Sequence, residues 1–99
     1  MLNINKNREG KKLTVMLEGR LDTTTSPELE QSLKEDLADL TELVIDLSGL
    51  EYISSAGLRV LLSAQKTMMK QGSMKVTHVS ETVMEIFEVT GFGDILTIE

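Results

Sequence analysis

The stretch Leu43-Val44-Ile45-Asp46-Leu47-Ser48-Gly49-Leu50-Glu51-Tyr52-Ile53-Ser54-Ser55-Ala56-Gly57-Leu58-Arg59-Val60-Leu61-Leu62 decides the fold. Its first five residues form an apolar run broken only by Asp46, the pattern of a central strand covered on both sides. A short loop follows, and the adjacent serines Ser54 and Ser55 open an amphipathic helix. Backbone N–H groups at a helix start lack intrahelical acceptors, so they draw oxygen and negative charge. A hydroxyl there is either a cap or a place for a phosphate.

Downstream, that helix buries Leu58, Leu61, Leu62, Gln65 or Met68 and stops at Gln71-Gly72, with Gly72 suited to the C′ position. Met74 to Val79 reads as the next strand. Ser80 caps a third helix that carries Val83, Ile86 and Phe87 and closes at Thr90-Gly91. Ile95, Leu96 and Ile98 form a short last strand or a return onto the sheet edge.

Upstream, Leu2 and Ile4 alternate with asparagines before Lys6 and Arg8, as in a half-polar edge strand. A turn over Arg8-Glu9-Gly10-Lys11 leads into Leu13, Val15 and Leu17, which alternate with Thr14, Met16 and Glu18. The pair reads as a β-hairpin. After Gly19-Arg20-Leu21-Asp22, either hydroxyl of Thr25-Ser26 can cap a helix whose first turn accepts Pro27 and Glu28. Leu29, Leu33, Leu37 and Leu40 make its apolar stripe, with Glu30 and Lys34 paired on its wet side. The predicted class is α/β: a mixed, mostly parallel sheet of four or five strands with three or four crossover helices, opened by an N-terminal β-hairpin.

Ninety-nine residues, 40% hydrophobic and 26% charged, suit one globular domain. A net charge of −6 argues against a nucleic-acid footprint. With no cysteine, disulfide and thiolate chemistry are excluded, and the composition suits a reducing cytoplasm. Met1 to Lys6 carries no apolar h-region and no run of eighteen apolar residues occurs, so the reading is cytoplasmic, with no membrane partner. His78 stands alone on a predicted strand without a metal partner and reads as structural. Gly91-Phe92-Gly93 follows a helix and is too short for a dinucleotide fingerprint, and no Walker A sequence occurs. The expected protein is not an enzyme and needs neither cofactor nor metal.

The serine pair is the feature with chemistry. With Ser54 as N-cap, Ser55 becomes the first helical residue and projects outward, while Ile53 and Leu58 form a hydrophobic staple. A phosphate on Ser55 would sit by unpaired N–H groups and the positive end of the helix dipole, with Arg59 one turn on. Two caps explain the pair equally well. Ala56 and Gly57 either leave the first turn open to a partner's backbone or serve tight helix–strand packing.

Several segments together resemble the STAS family of stand-alone bacterial anti-sigma factor antagonists. They are Leu17-Glu18-Gly19-Arg20-Leu21-Asp22 running into Ser26-Pro27-Glu28-Leu29, Val44-Ile45-Asp46-Leu47-Ser48, Tyr52-Ile53-Ser54-Ser55-Ala56-Gly57-Leu58, and Ile86-Phe87-Glu88-Val89-Thr90-Gly91-Phe92. The resemblance implies one STAS domain over residues 1–99 and a partner-switching function. The unphosphorylated antagonist binds a serine-kinase anti-sigma factor, which phosphorylates one serine and lowers affinity; a PP2C-type phosphatase reverses this. The family's acceptor lies two residues before the loop glycine, here Ser55, with Ser54 the runner-up. Ser54 stands where the family often has aspartate, Ala56 replaces a second hydroxyl, and Arg20 replaces a frequently acidic residue. The implied docking face comprises Asp22, Thr23, Ser54, Ser55, Gly57, Leu58 and Arg59, on a monomer or weak dimer. The alternatives are a STAS subunit of a lipid-transport ABC system and a partner switch with a non-sigma output.

Overall fold

A computed structural model describes residues 2–99. The hairpin is strand β1 (Leu2–Glu9) and strand β2 (Lys12–Leu21), turned at Gly10 with φ of 63°, a left-handed conformation that glycine adopts without a Cβ penalty. Helix α1 (Ser26–Lys34) leads to the long strand β3 (Glu42–Ile53), then helix α2 (Ser55–Gln71), strand β4 (Ser73–Thr77) and helix α3 (Glu81–Thr90). The sheet order is β1-β2-β3-β4, antiparallel at the hairpin and parallel at the two later pairings. The expected mixed α/β architecture is therefore present, with four strands and three α-helices among the described residues.

One sheet face carries the core. Leu13, Val15, Leu17, Leu43, Ile45, Leu47, Met74 and Val76 are buried, together with Leu29 and Leu33 of α1, Leu61 and Met68 of α2, and Val83 and Phe87 of α3. The opposite face is not covered: Met16 is exposed, and Thr14, Val44, Asp46, Lys75 and Thr77 are half-buried. This corrects the reading of β3 as covered on both sides. Its apolar run conceals an ordinary in-out alternation, because Val44 lies on the open face and only Leu43, Ile45 and Leu47 face the helices.

β3 also continues through the residues expected to form a loop. Its register against β2 slips between Met16 and Glu18 and again between Gly19 and Arg20. Each slip inserts one extra residue into β3, so the buried positions move from a spacing of two (Leu43, Ile45, Leu47) to three (Leu50, Ile53). The Asp46 carboxylate accepts the Ser48 N–H at 2.9 Å near the first irregularity. The first bulge brings Leu50 to the core face, where strict alternation would turn it out, and the second restores the phase that keeps Ile53 there.

Further differences have local causes. α1 ends at Lys34; Leu37 falls in a 3-10 turn and buried Leu40 in extended chain beyond it, so the apolar stripe outlasts the helix. Glu30 and Lys34 form no ion pair among the described residues. Lys6 instead meets Asp36 at 2.8 Å and Arg8 meets Asp39 at 3.1 Å, tying edge strand β1 to the chain after α1. Leu62 is only half-buried. Gly72 is extended rather than left-handed; a Cβ there would overlap the Thr41 carbonyl, so close approach requires the glycine. β4 stops at Thr77, leaving exposed His78 (φ 55°) 3.4 Å from Asp46. The last strand is a single bridge of Ile98 to Val76, with Ile95 exposed.

Candidate functional site

The carboxyl ends of β2 and β3 lie side by side, joined where the Ser54 N–H donates to the Leu21 carbonyl at 2.9 Å. In open α/β sheets this edge, where helices begin, is the exposed functional rim. The chain leaves β2 through a loop organised by Asp22. Its Oδ1 accepts the backbone N–H groups of Thr24 at 3.0 Å and Thr25 at 3.1 Å, and its carbonyl accepts the Ser26 N–H at 2.8 Å. Neither predicted hydroxyl caps α1. Thr25 Oγ1 accepts the Asp22 N–H and donates to the Arg20 carbonyl, while Ser26 Oγ donates back to the Asp22 carbonyl. Backbone carbonyls meet the start of α1, Asp22 accepting from Ser26 and Thr25 from Glu28, while the carboxylate and the hydroxyls brace the loop before it. The Thr25 N–H foremost, then the Thr24 N–H, the Thr25 hydroxyl and Arg20, hold the Asp22 carboxyl below its ordinary range; partial desolvation opposes them.

α2 starts as the sequence predicts. Ser54 is the N-cap in extended conformation, and its Oγ accepts the Gly57 N–H at 3.4 Å. Ser55 is the first helical residue, exposed, and its hydroxyl makes no hydrogen bond to another of the described residues. Arg59 is exposed one turn further on and forms no ion pair among the described residues. Thr23 is exposed on the facing loop.

Two members of the expected docking face turn inward. Gly57 and Leu58 are buried, so the accessible edge is built by Asp22, Thr23, Ser54, Ser55 and Arg59. A Cβ on Gly57 would approach Leu21 Cγ to 2.7 Å and Ile53 Cγ1 to 2.9 Å. Of the two readings of Gly57, helix–strand packing accounts for it. The buried Ile53 and Leu58 flank that contact.

Two features of this edge were not read from the sequence. A groove of about 210 Å³ separates the N-terminal ends of α1 and α2, lined by Thr23, Ser26, Pro27, Glu30, Ala56, Arg59 and Val60. Arg20 lies over Tyr52, its guanidinium carbon 4.5 Å from the ring centroid. Both partners are visible in the sequence, but the second β3 bulge is what sets Arg20 opposite Tyr52. No grouping of three His, Cys, Asp or Glu side chains suited to a metal occurs among the described residues.

Comparison with known proteins places this geometry in context. A family model described as Mlab, STAS domain matches residues 4–97. The anti-sigma-B factor antagonist of Bacillus subtilis is 30% identical over 98 residues, covering 98% of this chain and 90% of that protein. The anti-sigma-B factor antagonist of Staphylococcus aureus is 29% identical over 99 residues, covering 98% of this chain and 92% of the relative. The crystal structure of an anti-sigma factor antagonist from Mycobacterium paratuberculosis superposes with a TM-score of 0.89 at 25% identity, over 99% of this chain and 85% of that one.

Proposed function

The chain belongs to the STAS domain family of anti-sigma factor antagonists, and on that premise we propose that it is a cytoplasmic phosphoswitch. Unphosphorylated, it binds a serine-kinase anti-sigma factor through the edge that carries Ser55 and so releases that factor's sigma factor. The kinase transfers the γ-phosphoryl group of ATP to Ser55 Oγ, leaving ADP, and the complex weakens. A PP2C-type phosphatase hydrolyses the ester and restores binding. The chain contributes a surface and an acceptor hydroxyl; the catalysis belongs to its partners.

The observation that carries the reading is the division of labour between the two serines. Ser54 Oγ is engaged with the Gly57 N–H, whereas Ser55 Oγ is exposed and unengaged at the first position of α2. Modifying Ser54 would sacrifice a cap; modifying Ser55 would not. A phosphate on Ser55 brings roughly −1.5 to −2 charges beside the positive end of α2, so the free modified chain tolerates it. In a docked complex the same group must be desolvated, a penalty of several kcal/mol when it is unpaired. Each 1.4 kcal/mol is tenfold in affinity, so the penalty suffices to separate the partners.

The test is incubation with candidate serine-kinase anti-sigma factors and ATP, with the site mapped by mass spectrometry. One phosphate is expected, on Ser55, lost in Ser55→Ala; Ser55→Asp should bind the kinase at least about tenfold more weakly. Undiminished labelling of the Ser55→Ala chain would refute the assignment.

A further inference from the structure

Arg20 is placed in a way that neither the fold nor the switch requires. It is the penultimate residue of β2, next to Leu21, whose carbonyl receives the Ser54 N–H, so it stands at the edge that carries Ser55. Its guanidinium lies 4.5 Å from the centroid of Tyr52, and about half of the side chain is exposed (53%). A guanidinium seated on an aromatic ring loses the freedom of its long side chain yet keeps its in-plane N–H edge for a planar acceptor.

Among the described residues that edge has one weak contact and is otherwise open. None of the Arg20 guanidinium N–H groups donates a hydrogen bond to another of the described residues, and the side chain's only ion contact among them is Nε to Asp22 Oδ2 at 3.9 Å. Asp22 is held by the loop, its other oxygen accepting the Thr24 and Thr25 N–H groups. Glu18 and Glu51 stand on the same strand ends, and neither lies within ion-pair distance of Arg20. The chain as a whole carries −6, so a fixed, half-exposed cation at its docking edge opposes the general charge.

We propose that Arg20, seated on Tyr52, is a partner-selecting residue: it receives an aspartate or glutamate carboxylate of the protein that docks over Ser55. The fork of N–H donors suits a bidentate carboxylate, and complementary charge across an interface suppresses wrong partners. The inference rests on the antagonist reading and adds the chemistry of the partner's surface.

Calorimetric titration with the kinase that labels Ser55, at low and moderate salt, tests it. Arg20→Glu should weaken binding about 30-fold or more, with the deficit shrinking as salt rises. Arg20→Lys should lose part of the affinity through loss of the fork, Tyr52→Phe should bind as wild type, and Tyr52→Ala should fall between. Reversing the facing carboxylate on the kinase to arginine should restore binding to Arg20→Glu and to no other variant. Circular dichroism should show Arg20→Glu folded and melting cooperatively, with its midpoint lowered by no more than about 8 °C. Binding of Arg20→Glu within twofold of wild type, while Ser55→Asp still weakens, overturns this inference and leaves the antagonist reading standing. A wild-type chain that binds no such kinase overturns both.

Discussion

Replacing Gly57 by alanine sets helix propensity against packing at the point where α2 meets the sheet. On an open helix surface the change would stabilise the chain by about 1 kcal/mol. Here the added methyl would meet Leu21 Cγ at 2.7 Å, Ile53 Cγ1 at 2.9 Å and Leu21 Cδ2 at 3.0 Å, all three on buried side chains. Relief requires the first turn of α2 to lift by several tenths of an ångström or Leu21 to leave its rotamer, and overpacking of this kind costs about 1–3 kcal/mol. Packing should win, for a net loss of up to about 2 kcal/mol in urea denaturation. Each kcal/mol moves the melting temperature of a domain this size by about 4–8 °C, so the loss is readily seen. Leu21→Ala alone should cost about 2–5 kcal/mol, but in the double variant the new methyl enters space that leucine vacated. The two changes should therefore be non-additive by at least about 0.5 kcal/mol, with the double variant more stable than the sum predicts. A Gly57→Ala chain more stable than wild type, or strict additivity with Leu21→Ala, would refute the packing argument.

The serine pair should separate in stability measurements: Ser54→Ala should cost about 0.5–1 kcal/mol through loss of the cap, while Ser55→Ala should change stability by less than about 0.5 kcal/mol. Asp22 should make the fold acid-sensitive. Its folded pKa lies below the ordinary 3.8, so its contribution is complete above that value and disappears as pH falls through the folded value. The stability difference between wild type and Asp22→Asn, followed by urea denaturation from pH 6 downward, should be flat above about pH 5 and shrink only below about pH 4. Gln65 is buried and its Oε1 has no hydrogen-bond partner among the described residues, so Gln65→Met should raise the urea midpoint, by about 1 kcal/mol in stability; a lowered midpoint would show that the amide is satisfied in solution.

Much of this architecture was legible because local signals and tertiary demands coincide. The hairpin alternation at Leu13, Val15 and Leu17, the Ser54 and Ser80 caps and, Leu62 aside, the α2 stripe appear where the sequence puts them. The misreadings lie where tertiary structure overrides a local pattern. The β3 bulges are invisible to a period-two template, so Ser48 to Tyr52 reads as loop although it is strand. Val44 is apolar yet faces the open side of the sheet, so residue type alone suggested a strand covered twice. Thr25 and Ser26 have the chemistry of caps, but their hydroxyls turn back to the Arg20 carbonyl and the Asp22 backbone and so are engaged by the loop instead of the helix. Gly57 and Leu58 belong to the motif that marks the site, so the sequence places them on its surface, whereas they support it from below.

That last distinction separates two kinds of constraint within one motif. Gly57 must be small for α2 to sit close to Leu21 and Ile53, and that closeness fixes where the helix begins. The start of the helix fixes which serine is spent on the Gly57 N–H and which is left facing solvent. The same strand ends carry Leu21 and Ile53 inward and Arg20 and Tyr52 outward, so one register sets both the packing beneath Ser55 and the charge beside it. A change in that register would therefore move the acceptor and the partner-selecting cation together. Substitutions at Arg20 or Ser55 act on one function each, whereas substitutions at Gly57 or Leu21 should disturb both.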